Sequence, residues 1–535
     1  MTRGPLTLES TTAVADAPTS SAPPPLRGRA VRATAWTMLG FGGREALRLL
    51  SSLVLTRLLW PGAYGLMALT NIFITGLQMF SDIGIGPSII QNSRGTEPRF
   101  LNTAWTIQCV RGAVLTVVAC LLAYPVAWFF ESPMLAPLIL ATSVAPLLSG
   151  FFSTSLITRN RELDMRRLTI VELVTQATSI AVMLGSAVAI HGTIAAGVDH
   201  FVEGSQLPLW FEGILAEIIR TSLITATVWA LVVGALAVAI VRLVMSHRYL
   251  PGIRNRFQWD RSAAQDLFGF GRWVFLSTLL TFLAQWADRL VIGKCFSADA
   301  LGYYAIAAIF AAIPTSVVSA VAGRVMLPTY SKAKHDGRDL AAVFGRVRRP
   351  VLTAGAILVS GLVALGEPAI ALLYDPRYQA AGTLVALLSI ASWFQILEIA
   401  NSQALLAIGR VKSMAAGHLT KVVGLAVGMP LGYYLCDGAL VGMVAGLIVA
   451  DAAKYAVTAV AVARQGLHGW RTDFVLSAIA AGIVAGSLAI APYWEELTSN
   501  AWLAFTLASF AIVAAWLPFL VPIVRDLRGR GIHGG

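Results

Sequence analysis

Residues 221–241 read TSLITATVWALVVGALAVAIV, a run of 21 residues without a single charged side chain. A run of this length forms a helix that crosses the hydrocarbon core of a bilayer, which is roughly 30 Å thick. Over all 535 residues, 57% are hydrophobic and only 13% are charged, whereas soluble domains average about 45–50% and about 25%. The composition therefore excludes a water-soluble enzyme and predicts an all-α polytopic membrane protein.

Similar apolar segments, bounded by charged residues or by Gly and Pro clusters, continue on both sides of this run. They predict 14 membrane spans, at about residues 33–59, 63–90, 103–128, 134–157, 168–190, 219–242, 273–293, 301–326, 350–373, 381–409, 414–435, 438–463, 474–491 and 501–524. The first span is the least apolar of these because it carries Arg44, Glu45, Arg48 and Arg57.

The distribution of basic residues predicts the orientation of these spans. With both termini in the cytoplasm, and with Arg242 and Arg324 at the ends of their spans counted as inside, 30 of the 40 Lys and Arg residues lie on the inside, 2 lie outside and 8 lie within spans. Such a bias is the usual signature of cytoplasmic loops, and a missed span would reverse every later loop. The net charge of +12 is therefore explained by membrane orientation, and nucleic acid is not an expected partner.

The spans divide the chain into five predicted segments and one long outside loop. The segments are a disordered, Pro/Ser-rich cytoplasmic tail (1–32), an N-terminal lobe of spans 1–6 (33–245), a basic cytoplasmic linker (246–272), a C-terminal lobe of spans 7–12 (273–465), and spans 13–14 with a short basic tail (466–535). The outside loop, 191–218, is either a short interfacial helix or an N-terminal extension of the sixth span.

An internal repeat relates the two lobes. Residues 56–69 read TRLLWPGAYGLMAL and residues 293–306 read GKCFSADALGYYAI. When Gly65 is aligned with Gly302, each segment has a cation eight residues earlier and an alanine three residues later. The repeat makes spans 1–2 and 7–8 equivalent hairpins, an arrangement typical of alternating-access transporters with substrate between two lobes.

Four further stretches carry a family resemblance: LTRLLWPGAYGLMALTNIF, DIGIGPSIIQ, FLNTAWTIQCVRG and FGRWVFLSTLLTFLAQWADRLVIGKCFSADALGYYAIA. They resemble the Wzx-type lipid-linked oligosaccharide flippases, the polysaccharide transport family of the multidrug/oligosaccharidyl-lipid/polysaccharide exporter superfamily. The resemblance covers residues 33–465. It implies 14 helices in two pseudo-symmetric lobes around a central cavity, with the last two helices to the side.

The same resemblance implies a transporter rather than an enzyme. The expected activity is alternating-access transfer of undecaprenyl-diphosphate-linked repeat units from the cytoplasmic to the periplasmic face of the bacterial inner membrane. These units supply O-antigen, exopolysaccharide or capsule synthesis. The lipid-linked sugar and the bilayer are the expected partners, and polysaccharide polymerase and chain-length machinery are further candidates.

Charged and polar residues within spans identify candidate substrate contacts, since a cation in mid-bilayer costs about 2.5–3.5 kcal/mol or more. Arg44 and Arg48 lie on one face of the first helix, and arginine is suited to phosphate. We predict that Arg44, Arg48 and Lys421 contact the diphosphate, and that Gln78 and Gln285 contact sugars in the cavity. The alternative is that Arg44 or Arg48 pairs with Glu45 or Asp82 to hold helices together.

Intramembrane carboxylates are candidates for coupling transport to a proton or sodium gradient. Asp82 and Glu398 have no cation at helical spacing, so they are the preferred candidates. Asp288 and Asp451 are expected to form salt bridges with Arg289 and Lys454. No cofactor is expected, and the four cysteines show no metal-binding spacing.

Three other functions remain open at this stage. A membrane polymerase or glycosyltransferase is disfavoured, because the outside loops are short and no carboxylate pair or diphosphate–metal motif is present. An exporter of cationic drugs is disfavoured by the arginines of the first span. A flippase for the peptidoglycan lipid precursor stays open, since that lipid carries the same diphosphate.

Overall fold

A computed structural model describes residues 26–82, 84–162, 164–202, 209–497 and 500–531. The described chain is helical, with short turns and no strand. The N-terminal half forms nine helices: α1 (Leu26–Leu58), α2 (Pro61–Phe80), α3 (Ile85–Gln91), α4 (Pro98–Phe129), α5 (Leu135–Thr142), α6 (Val144–Gly150), α7 (Ser155–Arg161), α8 (Met165–Val202) and α9 (Leu209–Arg248). The C-terminal half continues with α10 (Arg261–Cys295), α11 (Ala298–Val321), α12 (Leu327–His335), α13 (Leu340–Leu373), α14 (Ala380–Ile408), α15 (Val411–Leu435), α16 (Leu440–Ala463), α17 (Trp470–Leu497) and α18 (Ala501–Gly531).

Every predicted span coincides with one of these helices or with a closely spaced set of them. Among the described residues, 11 helices are long and apolar enough to cross a membrane, or 12 if the bent pair α5–α6 and α7 is one span. Helices α1 and α10 also have the length to cross a membrane but are not among the 11, and both carry several charged side chains. The chain is therefore a multi-pass α-helical membrane protein.

Two expected segment boundaries differ from the structure. Residues 1–25 of the predicted tail lie outside the described residues, but α1 already begins at Leu26, seven residues before the predicted start of the first span. The predicted outside loop 191–218 is mostly helical, because α8 continues to Val202 and α9 begins at Leu209. The helix that contains the sixth span therefore begins within the predicted loop, and the position of residues 191–218 relative to the membrane interface stays a prediction.

The helices pack as two lobes. In the first lobe α1 packs on α8, α8 on α9 and α4 on α6, whereas in the second α13 and α11 pack on α14 and α15 packs on α16. Helices α17 and α18 pack against α13, beside the second lobe. The main contact between the lobes is made by α2 and α11, the second helices of the two repeated hairpins.

The buried side chains show where the lobes are joined. One apolar cluster spans both lobes near the turns that end α1 and α10, and it includes Leu59, Leu301 and Tyr378. Two further clusters are separate: one lies in the second lobe around Ile396, and the other lies in the first lobe around Phe100. The lobes therefore share a core at the predicted outer end and have cores of their own toward the predicted inner end.

Polar contacts reinforce this junction. The last carbonyls of α1 lack partners within their own helix, as at any helix C-terminus. Residues that follow α13 supply the donors: Tyr378 Oη donates to the Leu59 carbonyl over 2.9 Å, and Arg377 Nη2 donates to the Arg57 carbonyl over 3.1 Å. The end of a first-lobe helix is thus capped by the second lobe.

A surface ion pair joins the same ends of the two lobes. Lys294 Nζ, in the last turn of α10, lies 2.6 Å from Glu131 Oε1, which follows α4. The hydrogen bond from Lys294, followed by its charge, lowers the pKa of Glu131 below its ordinary value. The glutamate side chain is 82% exposed, so solvent screens the pair and its contribution is small.

The extended linker between the lobes is bound along the first lobe. The backbone N–H of Asp260 donates to Thr103 Oγ1 over 3.0 Å, and Gln258 accepts a hydrogen bond from Asn102 over 3.0 Å. Leu267, in the first turns of α10, is buried in the first-lobe cluster around Phe100. The start of α10 therefore belongs to the first lobe.

Candidate functional site

Each lobe contains a small polar cavity. The cavity of the second lobe, called the C-lobe cavity, has a volume of about 160 Å³ and lies among α10, α11, α14, α15 and α16. Its polar lining consists of Gln285, Asp288, Arg289, Tyr304, Gln395 and Lys421, with Thr315 and Ser392. The structure thus brings together Gln285 and Lys421, two of the residues predicted to contact substrate.

The ammonium group of Lys421 is engaged in an ion pair. It lies 2.6 Å from Asp451 Oδ1 on α16, and Gln395 Nε2 donates to the other oxygen of Asp451 over 2.9 Å. The expected pairing of Asp451 with Lys454, three residues later on the same helix, is therefore wrong. Because the two charges compensate each other, this side of the C-lobe cavity is electrically neutral.

Glu398, a predicted coupling residue, also has a cation partner. Lys454 Nζ lies 3.2 Å from Glu398 Oε2, and Ser402 Oγ donates to Oε1 over 2.5 Å. The prediction considered only cations on the same helix as Glu398, whereas Lys454 lies on the neighbouring helix α16. The coupling role itself stays a prediction.

Asp288 lacks the salt bridge that its sequence neighbour suggested. Its carboxylate accepts a hydrogen bond from Tyr304 Oη, and no ion pair joins it to Arg289 in the described part of the chain. The guanidinium of Arg289 lies over the ring of Trp286, 4.8 Å from the centroid. The expected Asp288–Arg289 bridge is therefore wrong, since successive residues of a helix point away from each other.

The cavity of the first lobe, called the N-lobe cavity, has a volume of about 200 Å³. Its polar lining consists of Gln78, Gln108, Arg111 and Ser149. Gln78 therefore lies in a polar cavity of the first lobe, separate from the cavity that contains Gln285. The contact of either residue with a sugar stays a prediction.

Sequence reasoning missed Arg111, which organises the N-lobe cavity. Its Nε donates to Ser81 Oγ over 2.9 Å, and its Nη2 donates to the Gln78 carbonyl over 2.5 Å. Its Nη1 lies 3.7 Å from Asp82 Oδ1, so the second predicted coupling carboxylate also has a cation partner. The available signal was Gln108, one turn earlier on α4, because a Gln and an Arg at this spacing share one helix face.

Arg44 and Arg48 form a separate cluster with acidic residues on α1 and α8. Arg48 lies 3.2 Å from Glu45, whereas Arg44 lies 3.9 Å from Glu45 and 4.0 Å from Glu172. Both arginine side chains are 41% exposed, and neither lines the N-lobe or the C-lobe cavity. Of the alternatives raised for this pair, the contact with Glu45 is present, while Asp82 is paired with Arg111 instead.

Amide, hydroxyl, carboxylate, ammonium and guanidinium groups line the two cavities. Such groups recognise polar ligands by hydrogen bonds. Within the described ranges, no group of three or more His, Cys, Asp or Glu side chains is placed to hold a metal ion.

Comparison with known proteins identifies the family. Residues 54–203 and 213–383 match the family model described as "Polysaccharide biosynthesis protein". The chain is similar to the teichuronic acid biosynthesis protein TuaB of Bacillus subtilis, with 23% identity over 333 residues, or 62% of each chain. It is also similar to the succinoglycan biosynthesis transport protein ExoT of Rhizobium meliloti, with 23% identity over 67% of this chain and 65% of that protein.

The chain spans about three-fifths of the length of the teichuronic acid protein and of the amylovoran biosynthesis protein AmsL of Erwinia amylovora, 62% and 60% respectively. Among solved structures it is similar to the lipid II flippase MurJ in an inward closed conformation, with a TM-score of 0.67 at 12% identity, over 92% of this chain and 99% of that one. This likeness shows the two-lobed transporter fold alone. Since the family model covers more than half of the chain, the protein belongs to the polysaccharide biosynthesis protein family and shares its fold with membrane transporters.

Proposed function

We propose that this protein is a flippase that transfers undecaprenyl-diphosphate-linked oligosaccharide repeat units from the cytoplasmic to the periplasmic face of the bacterial inner membrane. The product supplies a surface polysaccharide such as O-antigen, exopolysaccharide or capsule. Support comes from the family membership and from the relatives, whose names describe polysaccharide biosynthesis and transport.

One observation carries this proposal: among the described residues the lobes share a core at one end and have separate cores at the other, and each lobe contains a polar cavity. An oligosaccharide cannot leave its hydrogen bonds unmade while it crosses hydrocarbon, because each unsatisfied polar group costs several kcal/mol. Polar side chains inside the protein replace water along the path. Two lobes joined at one end can expose this interior to one face of the membrane at a time.

The proposed substrate contacts follow from these cavities and from the arginine cluster. Gln78 and Gln285 donate and accept hydrogen bonds with sugar hydroxyls in the N-lobe and C-lobe cavities. Arg44 and Arg48 receive the diphosphate, which competes with Glu45 and Glu172 for their guanidinium groups. Lys421 is a weaker candidate, since Asp451 already compensates its charge at 2.6 Å.

Coupling to a proton or sodium gradient is proposed at Asp82 and Glu398. Each carboxylate is paired with a cation on a neighbouring helix, Arg111 and Lys454 respectively. Binding of a proton or Na⁺ to the carboxylate would release that cation, so helix packing would respond to the ion. Transport in vesicles that is equally fast with and without imposed proton and sodium gradients would exclude this coupling.

The transport proposal is tested by deleting the gene and identifying the lipid-linked intermediate that accumulates on the inner face of the membrane. We expect an undecaprenyl-diphosphate-linked oligosaccharide together with a loss of surface polysaccharide. Accumulation of the peptidoglycan lipid precursor would instead support the related flippase function. Accumulation of fully flipped but unpolymerised units in the periplasm would support a polymerase.

The proposed diphosphate contacts are tested in the same strain by complementation. R44A and R48A are expected to insert normally and to fail to restore surface polysaccharide. R159A is the matched control, because Arg159 forms a similar ion pair, with Glu162 at 2.6 Å, outside both cavities and the arginine cluster. Normal polysaccharide in both R44A and R48A would refute the role of this pair.

A further inference from the structure

We propose that the C-lobe cavity is a subsite for one neutral sugar of the transported oligosaccharide, in which Asp288 accepts a hydrogen bond from a sugar hydroxyl and Arg289 donates one to a sugar oxygen. This inference rests on the proposed function and adds a specificity-determining site to it. Neither residue was among the predicted substrate contacts.

The first observation is an unsatisfied oxygen. Asp288 is only 8% exposed and lines the cavity. One of its carboxylate oxygens accepts from Tyr304 Oη, but the other, Oδ1, has no hydrogen-bond partner in the described structure. A buried carboxylate oxygen without a donor is costly, so this position favours a ligand that brings an O–H group.

The second observation is that the N–H groups of Arg289 are not engaged in an ion pair in the described structure. No carboxylate lies within ion-pair distance of Arg289 among the described residues. Its one hydrogen bond, from Nη1 to the Gln285 carbonyl, is long at 3.4 Å, and its guanidinium stacks on Trp286. A guanidinium has five N–H donors, so several remain for the oxygen atoms of a ligand.

The third observation is charge balance, which selects among ligand classes. The Lys421–Asp451 pair is neutral, and the charges of Asp288 and Arg289 cancel. A lone cation in the cavity would be repelled by Arg289 and Lys421, whereas a phosphate or carboxylate would be repelled by Asp288, which lines the same cavity. A neutral sugar avoids both repulsions, because each hydroxyl group both donates and accepts.

The surrounding groups fit the same ligand. Gln285 and Gln395 supply amide donors and acceptors at the cavity wall, and the apolar part of the lining includes Ala308, Ala311 and Leu447. Small polar sites of this kind combine an apolar wall with a few convergent polar groups that orient the ligand. The volume of about 160 Å³ suits a single ring rather than a whole repeat unit.

The test compares two kinds of probe on the full-length protein in nanodiscs. The first probe is undecaprenyl diphosphate, and the second is the same lipid carrying one glucose, galactose or N-acetylglucosamine. For the wild-type protein we expect at least one glycosylated lipid to bind more tightly than the bare lipid. We expect D288N to remove that advantage, by about tenfold or more, since a hydrogen bond to a charged group is worth roughly 1.5–3 kcal/mol.

The matched control is D473N. Asp473 is also a buried aspartate that accepts a hydrogen bond from a tyrosine, Tyr455 Oη at 2.6 Å, but it lies outside both cavities. D473N should lower thermal stability without changing the ratio of the two lipid affinities. If D288N itself fails to fold, Y304F and R289Q provide the same comparison, and each is expected to reduce the preference for the glycosylated lipid.

Four results would overturn the proposal. In the first, no glycosylated lipid binds wild-type protein better than the bare lipid. In the second, D288N keeps the preference for the sugar. In the third, D288N weakens binding of the bare lipid as much as binding of the glycosylated lipid, which would indicate that the diphosphate binds in this cavity. In the fourth, Na⁺ stabilises wild-type protein but not D288N, which would make this a cation site. By contrast, failure of every undecaprenyl lipid to bind wild-type protein would refute the proposed function itself.

Discussion

Gly65 of α2 and Gly302 of α11, the two residues that align in the internal repeat, are in contact across the junction between the lobes. A Cβ atom on Gly65 would overlap the carbonyl oxygen of Ala298 and lie 3.1 Å from the Gly302 nitrogen. A Cβ atom on Gly302 would overlap the carbonyl oxygen of Pro61. The relationship is reciprocal, as a pseudo-twofold axis between the hairpins requires, and it lets the two helices approach to backbone contact.

Alanine at either glycine should prevent this close approach. We expect G65A and G302A to destabilise the joined end of the lobes, which is the predicted outer end, by about 1–3 kcal/mol, the usual cost of overpacking. Both variants should therefore favour a state in which this end is open. The measurement is labelling of cysteines introduced near Trp60 and Phe296 by a membrane-impermeant reagent. G361A is the control, since nothing lies within 4 Å of a Cβ at that position; equal labelling in all three variants would contradict the expectation.

The tyrosine that caps α1 should also stabilise the junction. Y378F leaves the Leu59 carbonyl, buried in the shared core, without its donor, at a cost of about 1–3 kcal/mol. We expect faster labelling of the same outer cysteines. Y303F is the matched control, because Tyr303 packs against the Tyr378 ring without a hydroxyl partner in the described structure. A larger effect in Y303F than in Y378F would contradict the capping role.

Acidification should weaken the Glu131–Lys294 pair. The pKa of Glu131 is lowered by its hydrogen bond with Lys294, so the ionised form favours the joined state. This contribution is fully present above the ordinary glutamate value of 4.5 and is lost as the pH falls through the lowered pKa. The distance between two spin labels placed across the joined end of the lobes should increase there, and E131Q should remove the part of that pH dependence that is due to this pair. If E131Q showed the same pH dependence as the wild-type protein, other titratable groups would be responsible for it.

The buried ion pair that attaches α17 to the second lobe should matter far more for stability than an exposed one. Arg348 Nη1 lies 2.6 Å from Asp473 Oδ1, and both side chains are almost fully buried. D473A leaves the guanidinium without its counter-ion, which costs about 3–5 kcal/mol. We expect a clear fall in the unfolding temperature of the detergent-solubilised protein. D336A, which removes the exposed pair with Arg338 at 3.6 Å, should cost about 0–1 kcal/mol.

The helices and the lobes could be predicted from sequence because each depends on local patterns. Apolar runs bounded by charge predict spans, and the alignment of Gly65 with Gly302 predicts two equivalent hairpins. The structure places a helix at each predicted span and brings these two glycines together. The extension of α8 and α9 into the predicted loop 191–218 could not be predicted from sequence. An interfacial helix and an extended membrane helix share the same composition.

The pairing of charges within the membrane could not be predicted in this way. Spacing along one helix identifies only partners three or four residues away. Lys421 and Asp451 come from different helices, as do Glu398 and Lys454, so their contacts depend on how α14, α15 and α16 pack. The unsatisfied oxygen of Asp288 depends on the same packing.

The attachment of the linker to the first lobe has a mechanical consequence. Residues 249–260 are not a flexible linker, because hydrogen bonds to Asn102 and Thr103 attach their C-terminal end to the first lobe. Helix α10 starts in the core of one lobe at Leu267 and reaches the cavity of the other at Gln285. We therefore expect a change in the angle between the lobes to bend α10, the helix that carries Asp288 and Arg289.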